Sequence, residues 1–319
     1  MQPDSAPHPP AGWIPWRVLE PGSDLAWLPL DGERFHEPLF EMTLDRLRRA
    51  GVRPLRTRID RLDAPFPGLE RLPPSLFLFH ISRCGSTLLA QMLGLDPAVE
   101  VLSEPPLLDH LLRSSQDGRV DPLLALLGQR RFPESRRLVV KLDSWHLAFH
   151  GRLRALYPEV PCVLLFCEPG RVVASQRRLR GMHALPGALD PALFGFAPEE
   201  LPQPALGTDA ADYLDRHLEC ILGRYFEWME AIARTDGKAL LLDFGAGPEA
   251  CHRIILDFLG WRPEEAVLRA ARERTSYHGK RPWEPVQPDP EPARVADSLQ
   301  RAYARLDGLR RSRDPRSSP

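Results

Sequence analysis

Apolar residues first gather into a continuous run at Leu76-Phe77-Leu78-Phe79-His80-Ile81, bounded by Pro73-Pro74 on one side and Gly85 on the other. The run is too short for a helix and lacks polar alternation, so it predicts a strand buried on both faces. The period then changes. Ser86 to Leu95 has helical character, and Val99-Glu100-Val101-Leu102 is a second short strand. Pro105-Pro106 opens a helix, since proline suits a first turn, and Leu107, Leu108, Leu111 and Leu112 fall on one face of it. Arg137 to Leu142 and Val160 to Phe166 read as two more buried strands with a helix between them. From Thr208, a suitable N-cap, apolar residues at 214, 218, 221, 225, 229 and 232 keep helical spacing to about Arg234. Lys238 to Phe244 is a fifth strand, followed by helices at about 248–259, 263–273 and 293–309, with a Pro-rich stretch at 282–292.

Strands alternating with helices predict the α/β class: a mostly parallel sheet flanked by helices on both faces, a three-layer sandwich. The expected organisation is an N-terminal cap over residues 1–70 with a frayed start, an α/β domain over 71–309, and a disordered polar tail over 310–319. The cap holds Trp13, Trp16, Trp27 and a helical candidate from Leu39 to Arg49. A formal charge of −1 supplies no bulk attraction for nucleic acid or a membrane surface, so anion binding has to come from local charge. Arginine outnumbers lysine heavily, and the lysines are Lys141, Lys238 and Lys280. The cysteines Cys84, Cys162, Cys167, Cys220 and Cys251 are odd in number and form no CxxC pair, so neither a disulfide framework nor a metal site is expected. The N-terminus has no secretory pattern and no apolar run of membrane length occurs, which makes cytoplasmic the expected location.

The first strand leads into Ser82-Arg83-Cys84-Gly85-Ser86-Thr87-Leu88 and then a helix. The first amides of a helix have no intrahelical acceptor and the macrodipole adds positive potential, so an anion is stabilised there. Gly85 permits close backbone approach, Ser86 and Thr87 add hydroxyls, and Arg83 adds a charged fork. This pattern favours a phosphate-binding loop over an ordinary strand-to-helix turn. It departs from the Walker A motif, because aligning on Gly85 puts His80 at the first glycine and Ser86 at the lysine.

Residues 82–89 resemble the 5′-phosphosulfate loop of the sulfotransferases, with a basic residue, a small residue, Gly, two hydroxyl residues and an apolar pair. Val163 to Ser175 is similar to that family's strand-turn-helix segment, an apolar run followed by Arg-Asp-Pro-Arg and a later Ser. Ser175 matches the serine and Glu168-Pro169 matches Asp-Pro, while Cys167 stands where the first arginine belongs. Leu240 to Gly260 looks like the family's late strand and helix. The resemblance implies a P-loop NTPase-like fold and 3′-phosphoadenosine 5′-phosphosulfate (PAPS) as co-substrate, with no metal required. It also implies sulfuryl transfer to a hydroxyl or amine of a small-molecule or peptidic acceptor. The donor would meet Arg83, Cys84, Gly85, Ser86, Thr87, Leu88 and Ser175. Arg171, Arg177 or Arg178 would compensate for Cys167 from the helix, although a solvated helix face is the plainer reading of each. Lys280, in Tyr277-His278-Gly279-Lys280-Arg281, would belong to a late basic loop closing on the nucleotide, although a solvated loop is the plainer reading.

Arg83 would stabilise the charge that develops in transfer, and a carboxylate or imidazole would take the acceptor's proton. Glu104 is the first candidate, because it follows the second strand where a strand's carboxyl end meets the crevice. Asp143 is the second, and His146 a third, with a helix-surface histidine as its plainer reading. Lys141 faces the donor or pairs with a carboxylate. Asp243-Phe244-Gly245 matches a protein-kinase triplet without any other kinase signature, and reads as coincidence. Two other functions stay open: a kinase or other transferase of this fold whose nucleotide lacks a 3′-phosphate, and a catalytically inert nucleotide- or partner-binding protein.

Overall fold

The computed structural model describes residues 9–19, 23–30, 32–66, 68–207, 209–288 and 290–313. In chain order it forms β1 (Trp13–Leu19), β2 (Asp24–Pro29), α1 (Phe40–Arg49), β3 (Leu55–Arg58), β4 (Pro74–His80), α2 (Ser86–Leu93) and β5 (Val99–Ser103). Next come α3 (Pro106–Arg113), α4 (Val120–Leu127), β6 (Arg137–Lys141), α5 (His150–Leu156), β7 (Cys162–Phe166) and α6 (Pro169–Arg178). The chain ends with α7 (Ala210–Thr235), β8 (Ala239–Asp243), α8 (Pro248–Leu259), α9 (Glu265–Arg274) and α10 (Asp297–Ser312). Strands β4 to β8 form a five-stranded parallel sheet of order β5-β6-β4-β7-β8, flanked by helices, which is the expected α/β class. β4 is the middle strand, so the loop at its carboxyl end occupies the position where open parallel sheets bind ligands.

The apolar runs became strands because they have no polar face to turn to water. All five residues of β5 and all five of β7 are buried. Helix α3 buries Leu107, Leu108, Leu111 and Leu112, the face its spacing predicted. Thr208 lies outside the described residues, and the N-cap of α7 is Asp209, whose carboxylate accepts from the amides of Ala211 (2.9 Å) and Asp212 (3.1 Å). The last helix starts at Asp297 instead of about 293, because the Ala293 N–H donates to the Gly170 carbonyl (2.9 Å) and holds that stretch extended. Residues 314–319 of the expected tail, and residues 1–8 of the expected frayed start, lie outside the described residues.

The described residues divide into two compact units. One comprises the chain up to Phe77 with Thr87–Leu142 and Pro263–Glu284, the other Leu78–Ser86, Asp143–Arg262 and the chain from Pro285 onward. The first unit contains an antiparallel sheet of order β1-β2-β3 that the sequence pattern does not announce. β1 carries Pro15 and an irregular register between Pro15 and Arg17, which breaks the period-two signal. Trp27 on β2 is fully buried, and its indole N–H donates to the Thr57 hydroxyl on β3 (2.8 Å). Glu100, buried on β5, accepts from Arg34 (2.9 Å) and from the Ser135 hydroxyl (2.7 Å), so its charge is compensated where it sits.

In the second unit α7 buries Leu218, Ile221, Leu222, Tyr225, Phe226 and Met229 along one stripe. His252 on α8 is 5% exposed, and burial pushes its pKa down to about 4. The folded pKa lies below the unfolded value near 6.5, so as pH falls through 6.5 the unfolded chain takes up a proton that the native state refuses. Stability is full above that value and is lost progressively toward pH 4. The expected loss from this group is about 3 kcal/mol. Urea unfolding of the wild type and His252→Leu at pH 7 and pH 4.5 checks it: the variant's stability should fall less between the two. Equal falls would show that His252 protonates freely in the folded state.

Candidate functional site

The loop after β4 is built by strain and anchoring within the second unit. Arg83 (φ 59°) and Gly85 (φ 80°) both adopt left-handed backbone, which turns the chain from β4 into α2 within a few residues. A non-glycine residue there costs energy, and such residues gather at functional sites. Among the described residues the other non-glycine cases are Ser115 and Glu104, the latter singled out in the sequence for chemistry. Gly85 is required for a second reason, since a Cβ on it would lie 2.2 Å from the Phe244 ring. Phe244, set aside as part of a chance triplet, is therefore packed on the loop glycine.

Three side chains fasten this loop. The Cys84 thiol is 1% exposed and points inward, donating to the Ile81 carbonyl (2.8 Å), so what Cys84 can offer an anion is its backbone N–H. Gln176 of α6, fully buried, donates to the Ser82 hydroxyl (2.8 Å) while its own carbonyl accepts from the Gly181 amide (2.7 Å). The Arg83 guanidinium donates to the Leu179 carbonyl, just past α6. Ser86 and Thr87 are buried at the start of α2. Gln176 was not singled out in the sequence, because only the packing of α6 brings it to the loop.

The turn from β7 into α6 belongs to the same unit. Cys167 is 4% exposed, and burial, with the Cys84 thiol and the Asp243 carboxylate nearby, holds its pKa well above the usual thiol range. It is a neutral thiol and cannot replace an arginine's charge. The Glu168 carboxylate caps α6, accepting from the amides of Gly170 and Arg171 (2.9 Å each). Those are helix N-terminal donors that an anionic ligand would otherwise take. Arg177 is held by Asp215 (2.7 Å), which also takes Arg180 (2.8 Å). Ser175 and Arg171 are half-buried on α6, and Arg178 is exposed.

In the first unit Glu104 follows β5 with φ 57°, and its N–H donates to the Lys141 carbonyl (2.8 Å). Lys141, at the end of β6, is fully buried, and its ammonium pairs with the Glu104 carboxylate. Of the two readings of Lys141, the structure has the carboxylate partner. The late loop lies against α2 in the same unit: a Cβ on Gly279 would sit 3.5 Å from the Leu88 nitrogen. Arg274 holds it there, donating to Gln91 of α2 and to the carbonyls of His278 (3.0 Å) and Gly279 (3.2 Å). Lys280 is exposed on this loop. Arg274 was missed because an arginine near a helix end is unremarkable until its partners are known.

Asp143 and His146 belong to the second unit. They close on each other at the start of the turn Ser144–Phe149: the His146 N–H donates to the Asp143 carbonyl (3.0 Å), and the His146 ring accepts from the Asp143 amide (3.3 Å). His146 is fully buried, so the expected surface histidine is corrected, and the reason is this contact. For a metal, His150, Cys162 and Asp236 place ligand atoms within 4.8 Å of one another. Arg154 donates to the same Asp236 oxygen (2.7 Å), which puts a fixed positive charge where a cation would go. The group reads as an ion network.

No family model matches the chain, and no curated protein does. Among solved structures it is similar to a sulfotransferase domain from the curacin biosynthetic pathway, with 17% identity and a TM-score of 0.48 over 75% of this chain and 99% of that one. It is similar to sulfotransferase STF9 from Mycobacterium avium, with 15% identity and a TM-score of 0.47 over 83% and 80% of the two chains. It is also similar to mouse sulfotransferase SULT7A1 complexed with PAP, with 12% identity and a TM-score of 0.42 over 78% and 88%. What the site can do therefore has to come from its own residues.

Proposed function

We propose that this chain is a sulfuryl transferase that takes PAPS as donor and a hydroxyl or amine of a small-molecule or peptidic acceptor. The observation that carries the reading is the loop itself. Two left-handed residues, Arg83 and Gly85, lead into a helix whose first amides lack intrahelical acceptors. In transfer the acceptor oxygen or nitrogen bonds to sulfur, the bond from sulfur to the bridging phosphate oxygen breaks, and its electron pair goes to the leaving phosphate. Loop amides and Arg83 stabilise that charge, acting by positioning and electrostatics as in phosphoryl transfer. Glu104 is assigned the acceptor's proton, with Asp143 as the alternative base. Thr87, Leu88 and the Lys280 loop are assigned to the donor side, and Ser175 with Arg171 to the 3′-phosphate.

A second reading is a transferase of this fold whose nucleotide lacks a 3′-phosphate. Three observations favour it: the neutral buried thiol of Cys167, the Glu168 cap on α6 and the commitment of Arg177 to Asp215. Calorimetry with 3′,5′-ADP, 5′-AMP and ATP separates the two. We expect 3′,5′-ADP to bind more tightly than 5′-AMP, by less than the ~1.5–3 kcal/mol of a charged hydrogen bond. Equal binding of those two would move the assignment to the second reading. Arg83→Ala should weaken the tightest of them by about 1.5–3 kcal/mol. Unchanged affinity in folded Arg83→Ala protein would place the anion site outside this loop. No helix of the described residues is long and apolar enough to cross a membrane, and the cytoplasmic location remains part of the proposal.

A further inference from the structure

The second unit exposes apolar side chains beside the loop after β4. Leu179 is 68% exposed, Met182 54% and Leu185 42%, so three large apolar side chains close together in the chain face water. From Gly181 to Leu189 the sequence carries no carboxylate, ammonium or guanidinium. Arg180, inside the same stretch, is paired with Asp215 (2.8 Å). Contiguous exposed apolar surface of this kind is a mark of a binding site.

The strip is held in a fixed shape and a fixed place. The Ala184 N–H donates to the Gly181 carbonyl and the Leu185 N–H to the Met182 carbonyl (3.0 Å each), a turn of the 3₁₀ kind. Residues three apart eclipse in such a turn, so Met182 and Leu185 stand on one side, while His183 and Ala184 are buried. Gln176 joins this turn to the loop after β4. Its carbonyl accepts from the Gly181 amide (2.7 Å), and its NH₂ donates to the Ser82 hydroxyl (2.8 Å). Arg83 makes the second tie by donating to the Leu179 carbonyl. The buried His183 ring packs on Trp145, two residues beyond Asp143, with ring centroids 6.4 Å apart. The strip is thus mounted on the loop assigned to the donor and on the turn that carries one of the two candidate bases.

We propose that the acceptor is an aliphatic alcohol whose extended chain lies along Leu179, Met182 and Leu185; this deepens the transferase reading and rests on it. The strip selects by what it lacks. It offers no opposite charge to an ionic acceptor and no exposed aromatic ring to a flat one. The N–H groups of Ala184, Leu185 and Ala188 are spent on carbonyls three residues earlier, which leaves a peptide few main-chain partners. Met182 is flexible enough to follow a chain. In transfer the alcohol oxygen bonds to sulfur, and the bond from sulfur to the donor's phosphate oxygen breaks, its electron pair going to the phosphate. The hydroxyl proton passes to the assigned base, and the products are an alkyl sulfate and 3′,5′-ADP.

The test titrates the full chain, saturated with 3′,5′-ADP, with 1-butanol, 1-hexanol and 1-octanol by calorimetry. A parallel assay follows 3′,5′-ADP release from PAPS with the same alcohols. We expect saturable one-site binding of 1-octanol, with affinity and kcat/KM rising about twofold or more per added methylene. Met182→Glu with Leu185→Glu changes exposed positions only. It should weaken 1-octanol by about tenfold or more and flatten the dependence on chain length, with 3′,5′-ADP affinity at the wild-type value as proof of fold. Absence of saturable 1-octanol binding, or a chain-length dependence that survives the double variant, overturns the proposal. Preferential binding of 3′,5′-ADP over 5′-AMP would in that case leave the transferase reading standing with another acceptor. Binding to phosphatidylglycerol vesicles, or a dimer in sedimentation, that the double variant loses while no alcohol binds would give the strip to a membrane surface or a second copy, and also overturns it. Equal binding of 3′,5′-ADP and 5′-AMP takes away the transferase reading itself, and the acceptor role with it.

Discussion

Gly85→Ala is expected to remove nucleotide binding and to lower the melting temperature by on the order of 5–10 °C. Two costs coincide at this position. An alanine at φ 80° pays about 1–2 kcal/mol for left-handed backbone. Its Cβ would also meet the Phe244 ring at 2.2 Å, and overpacking of this kind adds about 1–3 kcal/mol. The loop can escape only by moving, and that carries the amides at the start of α2 out of position. A double-mutant cycle separates the two costs. Phe244→Ala in the Gly85→Ala background should recover the overpacking part and leave the backbone part. A Gly85→Ala protein that melts and binds 3′,5′-ADP like the wild type would refute the account of the loop.

The second large effect lies at Glu104. Lys141 is fully buried and Glu104 neutralises it, so Glu104→Gln leaves an ammonium in the interior without its carboxylate. Breaking a buried pair from one side typically costs about 3–5 kcal/mol. Glu104→Gln is therefore expected to lose stability as well as turnover, and lost turnover alone does not identify a base. Glu104→Gln with Lys141→Met removes both charges and should regain most of the stability, as an apolar replacement of a buried pair often does. If Glu104 takes the acceptor's proton, the stable double variant still binds 3′,5′-ADP and has lost turnover by orders of magnitude. Turnover retained in the double variant would hand the role to Asp143, and Asp143→Asn would then show the larger loss. Denaturant midpoints measured beside kcat keep the two effects apart.

Cys167 shows how a single position divides two readings of one site. The resemblance puts an arginine there, and the chain has a thiol whose pocket admits almost no solvent. Burial both suppresses its ionisation and leaves no room for a longer side chain without rearrangement. Glu168 adds to this, because its carboxylate already accepts from two amides at the start of α6. Recognition of a 3′-phosphate would rest on Ser175 and Arg171, which is why a narrow margin between 3′,5′-ADP and 5′-AMP is expected.

The sequence by itself determined the five strands of the parallel sheet, the helices α2, α3, α5 and α7 between them, and the loop after β4. Each is a local matter: an apolar run with no polar face has to be buried, and a glycine between a strand and a helix marks a tight turn. It also marked Arg83 and Glu104, two of the residues whose backbone proved to be left-handed. The tertiary structure decided the partners. Nothing local pairs Lys141 with Glu104, lays Phe244 on Gly85 or brings Gln176 to Ser82, since those contacts join residues far apart in the chain. His146 is polar and reads as a surface residue until the turn after β6 is known to bury it. The β1-β2-β3 sheet was hidden for a related reason: the register of β1 shifts between Pro15 and Arg17, and what holds these strands is pairing between them, which a window along one strand does not contain.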